Sequence, residues 1–596
     1  MTVEEDVGIT AYANAAPAFA ATLKHRFSDF KVNEIREDGS LVVLADTGLP
    51  EACLAKEEQD KAPVSPETLA AEFERAAGRP PPAELLPFLL RVAQGEVIWD
   101  GAIHTERVDL GTFESKEQRS AVHGVFKQWS TLATETGPEG AIQIGLGGGR
   151  RGIKRRRGDW PGGAHRYVRF TLYKENADTQ AALAALARRL GVTGRVFGFA
   201  GTKDKRGCTT QEVTAFRVDP ARLRGACARL LSGGSVRLGD YRFCDDQLRL
   251  GRLGGNRFSL VLRQVPAGRL ADVEDACRAL QRSGFVNYFG LQRFGSGGVP
   301  TSSIGQALLA GDWAEAVRRI LQQKGKGELK LPATAEEAKA MLRACPSWAV
   351  AEKHILQALI RHGVNNHLTA LQAIPKTLRL MYIHAYQSLL WNHAASRRLQ
   401  LSPTAVLAGD LVAADREGAA LSTEREAAGD RDEDAEEENA ADEEATLDLS
   451  ANLECHVVTE AEAAARAYSL FDVLLPLPGG KIRYPANATA YRELAEADGL
   501  SLGSAGHGCA EFSLAGQTGA YRPLLARPGD LEWRVVRYAD RDAALPPAEA
   551  SEGPLAALCL DFSLRPSTYA TMLVRELTKQ PAAALHAPLP RQATEL

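Results

Sequence analysis

The sequence lacks the features that stabilise small secreted domains or anchor a chain in a membrane. Its nine cysteines are dispersed over 596 residues without a CxxC pair, and their odd number argues against a disulfide framework or a cysteine-based zinc site. No apolar run reaches the roughly 18 residues of a membrane-spanning helix. The N-terminal residues Met1 to Asp6 lack the basic and apolar regions of a secretory signal. We therefore expect a reduced, soluble, intracellular protein of the nucleus, the cytoplasm or both.

Several common catalytic motifs are also absent from the sequence. It contains no GxxxxGK[ST], HExxH or GxSxG motif. The sequence therefore gives no support for a P-loop NTPase, a zinc protease or a hydrolase with a nucleophile elbow. The glycine-rich string at 145–150 departs from GxGxxG at its last position, and no set of residues has metal-ligand spacing. We expect neither a metal nor a cofactor.

Charge is distributed unevenly along a chain of ordinary soluble composition. The net charge is −4, with 45% hydrophobic and 24% charged residues. Residues 424–444 carry twelve acidic side chains against two arginines, which leaves about +6 on the rest of the chain. That balance is compatible with RNA binding. The acidic segment, about 412–450, is expected to be a disordered insert because it has little apolar surface to bury.

The most informative segment is AGTKDKRG, residues 200–207. It lies between a short apolar run ending at Phe199 and an alternating, β-branched run starting at Thr209, which predicts a loop between two strands. The three cations around Asp204 could neutralise phosphates, and they favour the ionised carboxylate. A solvated turn with local ion pairs would give the same pattern.

A second dense segment is NYFGLQRFG, residues 287–295. Its aromatic side chains could stack an extruded base, its amides could read the base edge, and its arginine could hold a phosphate. A core turn with buried rings is the alternative interpretation. The stretch from Lys24 to Glu34 has a similar mixture, although an amphipathic edge strand would explain it equally well.

A basic, glycine-rich segment spans residues 145–165, with six cations between Arg150 and Arg157. It could grip phosphate or act as a nuclear signal, and a disordered insertion is the alternative. Elsewhere, capping residues predict a helix after Ser65 that ends at Gly78. A late strand at 558–564 is similar to the earlier strands and is expected to complete the first sheet.

These segments together resemble the TruD-type family of tRNA pseudouridine synthases, in particular its eukaryotic branch, pseudouridine synthase 7. Each motif alone is weak, but eight in family order, from residue 22 to about 580, make the resemblance specific. The motifs are RFSDFKVNEI (26–35), YKENADT (173–179), AGTKDKRG (200–207), GNRFSLVLR (255–263), NYFGLQRFG (287–295), MYIHAYQSLLWN (381–392), GAYRPLL (519–525) and LRPSTYATMLVREL (564–577).

The resemblance implies an α/β fold of the α+β type, a pseudouridine synthase catalytic core with a mostly antiparallel sheet. A second α/β domain, the TRUD-type insertion domain, interrupts this core. We expect the core at residues 16–300 and 541–585, with a helical and basic insert at about 49–165. The insertion domain is expected at 301–540.

The resemblance also implies site residues. Asp204 matches the catalytic aspartate, and Asn287 and Phe289 match the Asn and the base-stacking Phe of the family's NxF motif. Lys24 and Glu34 match positions on the active-site side of the N-terminal strand, and both are expected to bind substrate. The cations expected to contact RNA share only their charge and their motifs: Lys203, Arg206 and Arg293.

The activity implied is the isomerisation of uridine to pseudouridine in RNA, without metal or cofactor. Asp204 would act as a nucleophile at the sugar or at uracil C6, or as a base that removes a sugar proton. The expected substrates are tRNA, with mRNA and small nuclear RNA as further candidates, and the protein is expected to be a monomer. A catalytically inactive RNA-binding protein of the same fold is the alternative. A nuclease is a weaker one, because Asp204 has no acidic neighbour in its motif.

Two residues depart from the family pattern. Gly207 stands where the family usually has Ala, and Arg565 stands where it usually has Pro before Pro-Ser-Thr-Tyr. Neither departure removes a reacting group, but Gly207 is expected to loosen the loop that carries Asp204.

Overall fold

The computed structural model describes residues 3–53, 65–94, 107–129, 132–137, 140–146, 160–230, 235–295, 298–322, 331–346, 349–414, 453–503, 507–545 and 553–585. The strands of this part are β1 Phe30–Ile35, β2 Arg107–Thr112, β3 Leu132–Thr136, β4 Ala141–Leu146, β5 Tyr167–Glu175, β6 Phe197–Phe199, β7 Cys208–Phe216, β8 Val236–Cys244, β9 Gly255–Val265, β10 Phe285–Val286, β11 Leu411–Ala413, β12 Cys455–Val457, β13 Val473–Leu477, β14 Ala520–Pro523, β15 Leu525–Ala526, β16 Gly529–Tyr538 and β17 Leu555–Leu564.

The α-helices of the described residues are α1 Pro66–Ala77, α2 Leu85–Gln94, α3 Lys116–Phe126, α4 Thr179–Leu190, α5 Pro220–Leu230, α6 Leu270–Ser283, α7 Thr301–Ala310, α8 Trp313–Gln322, α9 Ala335–Ala344, α10 Val350–His362, α11 His367–Gln372, α12 Lys376–Leu401, α13 Glu460–Ala464, α14 Ala490–Ala497 and α15 Ala570–Thr578. Several begin and end where their capping residues predict. Ser65 accepts a hydrogen bond from the amide of Thr68, and Gly78 ends α1 with a left-handed φ of 67°.

The largest sheet has the strand order β16-β17-β9-β1-β7-β5-β8, and β6 pairs with β7. The pair β1–β7 is parallel, and the other pairs of this sheet in the described part are antiparallel. The predicted mostly antiparallel sheet is therefore confirmed. The late strand β17 pairs with β9 and so completes this sheet, as the sequence predicts.

Strand register determines which side chains share a face of the sheet. Val32 lies opposite Phe258 on one side and Thr209 on the other, and Thr209 lies opposite Lys174. Because successive side chains of a strand point to opposite faces, Val32, Phe258, Thr209 and Lys174 lie on one face. The candidate active site lies on this face.

The edge strand β16 corrects one predicted boundary. The sequence analysis assigns residues up to 540 to the insertion domain, but Gly529–Tyr538 is hydrogen-bonded to β17 in the large sheet. The reason is its alternation of half-buried and exposed residues, which suits an edge strand. The remaining domain boundaries stay predictions.

The insert predicted at about 49–165 contains strands as well as helices. The three-stranded sheet β2-β4-β3 packs with α1, α2 and α3 around a buried cluster of its own, which includes Phe73, Phe88 and Phe126. Of the basic loop predicted at 145–165, residues 147–159 lie outside the described residues. Of the acidic insert predicted at 412–450, residues 412 and 413 belong to β11, and 415–450 lie outside the described residues.

The long helix α12 connects the second half of the chain to the large sheet. Tyr386 and Trp391 are fully buried on it. The Trp391 ring lies edge-on to Phe289, with 5.7 Å between the ring centroids. One continuous apolar cluster therefore extends from the central strands, through Phe30 and Phe258, to α12.

Candidate active site

The loop that carries Asp204 is held by side chains rather than by a strand ladder. The amide of Gln211 donates to the carbonyl of Gly201 at 2.9 Å, and the hydroxyl of Thr179 accepts from the amide of Lys203 at 3.2 Å. The ammonium of Lys174 donates to the carbonyls of Lys203 and Asp204, at 3.0 and 2.7 Å. These bonds satisfy backbone groups that would otherwise be buried without partners.

The carboxylate of Asp204 faces Lys24, which lies in the segment before β1. Nζ of Lys24 lies 3.1 Å from Oδ1 of Asp204, and the side chains are 4% and 25% exposed. The same ammonium lies 3.7 Å from the centroid of the Phe30 ring. The backbone of Lys24 is left-handed, with φ of 60°, a strained conformation that persists only where the surroundings impose it.

Lys203 and Glu34 pair with each other. Nζ of Lys203 lies 2.7 Å from Oε2 of Glu34, and both side chains are 3% exposed. The contact does not have hydrogen-bond geometry, so its attraction is mainly Coulombic. Lys203 lines the cavity, but its ammonium is turned to Glu34, so the predicted roles of Lys203 in RNA binding and of Glu34 in substrate binding stay predictions. Burial of both groups explains their pairing, because an unpaired charge there would be costly.

Arg206 and Arg293 reach the site from two directions. Nη2 of Arg206 donates to the carbonyl of Lys24 at 2.7 Å, and burial lowers the pKa of Arg206. Arg293 lines the cavity, and its Nε lies 3.4 Å from the hydroxyl of Ser388. The exposed Lys205 lines the cavity as well. A phosphate role for Arg206 and Arg293 stays a prediction.

A cavity of about 530 Å³ opens in front of Asp204. Its walls come from the Asp204 loop, from β1 and β9, from the segment after β10 and from the turn before α15. The lining residues used below are Asp204, Lys205, Phe289, Asn256, Arg293 and Tyr569. The Oδ1 atom of Asn256 is buried and has no hydrogen-bond partner among the described residues.

Phe289 is fixed by its neighbours, and Asn287 contributes to that support. The guanidinium of Arg522 lies 4.1 Å from the centroid of the Phe289 ring and donates to Oδ1 of Asn287 at 2.8 Å. Asn392 accepts from the amide of Phe289 and donates to its carbonyl. Burial lowers the pKa of Arg522 to about 10.

The predicted substrate-binding role of Asn287 stays a prediction, and its side chain is engaged with neighbouring backbone and Arg522. Asn287 is 3% exposed, and its side-chain bonds in the described part go to Arg522 and to the carbonyl of Pro523. Strand β10 pairs with β15, which brings the end of the adjacent strand β14, with Arg522 and Pro523, against Asn287.

The sequence analysis missed Lys174, Arg522 and Tyr569. Their segments were part of the family motifs, YKENADT, GAYRPLL and LRPSTYATMLVREL, but no role followed from the residues alone. Lys174 continues the alternate positions that Val168, Phe170 and Leu172 occupy on β5, and this phase could have predicted a buried side chain.

Two searches of the described ranges give negative findings. None of their helices is long and apolar enough to cross a membrane. In the same ranges, no three His, Cys, Asp or Glu side chains are grouped as a metal would require.

Comparisons with known proteins identify the family of the chain. The family model for tRNA pseudouridine synthase D (TruD) matches residues 153–577. The "Pseudouridylate synthase 7 homolog" of Bos taurus is 33% identical over 602 residues, which cover 97% of this chain and 81% of that protein. The "Multisubstrate pseudouridine synthase 7" of Schizosaccharomyces pombe is 32% identical over 648 residues, covering 98% of this chain and 91% of that protein.

A solved structure supports the fold. The crystal structure of a TruD protein from Methanosarcina mazei matches with a TM-score of 0.52 and 18% identity, over 97% of this chain and 98% of that one. A family model that covers most of the chain and relatives more than 30% identical over at least 81% of their own length lead to one conclusion. The chain belongs to the TruD family of pseudouridine synthases and is an isomerase that acts on RNA.

Proposed function

We propose that this protein converts specific uridines to pseudouridine in tRNA and in further RNAs, with Asp204 as the catalytic carboxylate. One observation carries the proposal. Asp204 lines the cavity with a quarter of its side chain exposed, and its oxygen lies 3.1 Å from the buried ammonium of Lys24. At that distance the ammonium and the carboxylate form an ion pair beside the cavity.

The reaction conserves every atom of the nucleotide. The N1–C1′ bond of uridine breaks, the freed uracil turns, and C5 bonds to C1′; the proton on C5 leaves and N1 regains one. An ionised Asp204 suits both open roles, attack at the sugar or at uracil C6 and removal of a sugar proton. No oxidant or reductant enters this balance.

The size of the cavity supports a flipped-out nucleotide. A volume of about 530 Å³ lies within the range of small-ligand pockets, and it suits one nucleotide rather than a stacked helix. The uridine therefore leaves its stack to reach Asp204. Phe289, held rigidly by Arg522 and Asn392, offers a ring against which uracil can stack.

Cations around the opening suit the RNA backbone. Lys205 and Arg293 line the cavity, and Arg206 lies beside Lys24. These three are the proposed phosphate contacts, with Lys205 in place of the buried Lys203. The name of the fission-yeast relative, a multisubstrate enzyme, supports RNAs beyond tRNA, of which mRNA and small nuclear RNA are the candidates.

Pseudouridine mapping tests the proposal. Purified protein and its Asp204→Asn variant are each incubated with total RNA in the presence of EDTA. We expect new pseudouridines with the wild-type protein and none with Asp204→Asn, while both bind RNA alike. Residual product from pure Asp204→Asn would contradict the catalytic assignment. Tight binding by wild type without any product would favour the inactive RNA-binding alternative.

A further inference from the structure

Lys174 is a buried cation that the reaction above does not use. It lies on β5, on the sheet face that carries the cavity, and has no exposed surface. Its Nζ donates to the carbonyl of Lys203 at 3.0 Å and to the carbonyl of Asp204 at 2.7 Å. An ammonium costs free energy to bury, so its placement here needs a reason.

The two carbonyls that Lys174 binds flank the Cα atom of Asp204. One belongs to the peptide plane before that atom and the other to the plane after it. A single donor that holds both planes fixes φ and ψ of Asp204, and with them the direction of its Cα–Cβ bond. Residues 201–204 form no helix or strand, so no backbone ladder performs this task.

We propose that Lys174 is a positioning residue for catalysis, which aims the carboxylate of Asp204 into the cavity by clamping the peptide planes on either side of it. The inference rests on the proposed catalytic role of Asp204. Lys174 does not touch substrate, and it acts through the backbone of the catalytic residue. Gln211 and Thr179 hold the same loop at Gly201 and Lys203, three residues and one residue before Asp204.

The charge of Lys174 provides a signature that a purely structural residue would not have. The pKa of Lys174 is lowered to about 8, mainly by burial and to a smaller extent by the positive charge of Lys203. The negative charges of Asp204 and Asp178 raise it, but by less than burial lowers it. Loss of the proton removes the positive charge behind Asp204 and one of the three N–H donors. The rate of the chemical step should therefore fall as pH rises through about 8.

The sign of the linked stability change separates this effect from unfolding. The unfolded chain retains the lysine proton up to its ordinary value of 10.5, whereas the folded protein releases it near 8. Between these values the unfolded state binds more protons, so the contribution of Lys174 to stability rises with pH. An activity loss in this range is therefore not a loss of folded protein through Lys174.

Single-turnover rates across neutral and mildly alkaline pH test the inference, on an RNA that wild type modifies. Lys174→Met keeps the approximate length of the side chain but removes its N–H donors and its charge. Lys174→Arg keeps the charge. We expect Lys174→Met to lose about 100-fold in rate, the cost of a misplacement of roughly 1 Å, and to show no alkaline decline. Its RNA affinity should change by less than about threefold. Lys174→Arg should lack the alkaline decline, because a guanidinium keeps its proton throughout this range.

Lys579→Met is the matched control, since it removes another largely buried lysine, paired with Glu576 at the end of α15. It should retain the alkaline decline. Equal losses of rate and RNA affinity in Lys174→Met, or a wild-type rate in that variant, would overturn the inference. If Lys174→Met does not fold, a wild-type rate that is flat through pH 8 overturns it instead. Absence of product with wild type would contradict the proposed function, not this inference alone.

Discussion

Lys24 and Asp204 are 180 residues apart in sequence, yet Nζ of Lys24 lies 3.1 Å from Oδ1 of Asp204. The nearer cations in sequence do not fill this place, because Lys203 pairs with Glu34 and Arg206 binds the backbone of Lys24. The charge that accompanies the catalytic carboxylate thus comes from the segment before β1, through parallel pairing of β1 with β7.

Replacement of Lys24 by Met should lower the single-turnover rate by about 10- to 100-fold, since a charge-assisted hydrogen bond contributes about 1.5–3 kcal/mol. RNA affinity should hardly change, because the ammonium is almost fully buried. Lys31→Met is the control: Lys31 is exposed on the opposite face of β1 and should leave the rate unchanged. A wild-type rate for Lys24→Met would show that Asp204 functions without this partner.

Replacement of Phe289 separates stacking from packing. Phe289 is 4% exposed between Arg522 and Trp391, so Phe289→Ala should destabilise the fold by about 3–5 kcal/mol and is a poor probe of catalysis alone. Phe289→Leu keeps most of the volume and removes the aromatic face. We expect it to lower product formation more than RNA affinity, whereas Phe289→Tyr should retain both. Comparable losses of rate and affinity in Phe289→Leu would indicate a structural role.

Gly207 is a requirement of this chain rather than a source of looseness. A Cβ atom at this position would lie 2.5 Å from the carbonyl oxygen of Phe30. Replacement by the family's usual Ala therefore forces β1 and the start of β7 apart, at a cost of about 1–3 kcal/mol. Denaturant unfolding measures this loss of stability. Gly225→Ala is the control: Gly225 lies on α5 with open space around it, so the alanine should stabilise the protein slightly. Equal stability of wild type and Gly207→Ala would contradict the close approach.

The Glu34–Lys203 pair should couple strongly in unfolding experiments. Glu34→Gln leaves the Lys203 ammonium buried without a counter-charge, which should cost about 3–5 kcal/mol. The double variant Glu34→Gln/Lys203→Met should be more stable than the sum of the single changes predicts, because it buries no lone charge. Additive effects in a double-mutant cycle would mean that the two charges do not interact.

Local features were predictable from neighbouring residues alone. Helix α1 follows Ser65 and ends at Gly78, as the types of its capping residues predict. The loop with Asp204 was identified as the centre of the site from its own composition and its family motif. Periodicity and capping act within a few residues, which is why sequence is sufficient for them.

The tertiary structure alone decided which charges meet. Lys203 and Lys24 are both lysines near an acidic group in their motifs, and nothing in the sequence says that Lys203 turns to Glu34 while Lys24 reaches Asp204. The same holds for Asn287, which meets Arg522 rather than the catalytic loop. Partner choice depends on strand register and on the cost of leaving a buried charge unpaired, and both are set by contacts between distant parts of the chain. The sequence determined the chemistry available to this protein, and the pairing of its strands determined which groups perform it.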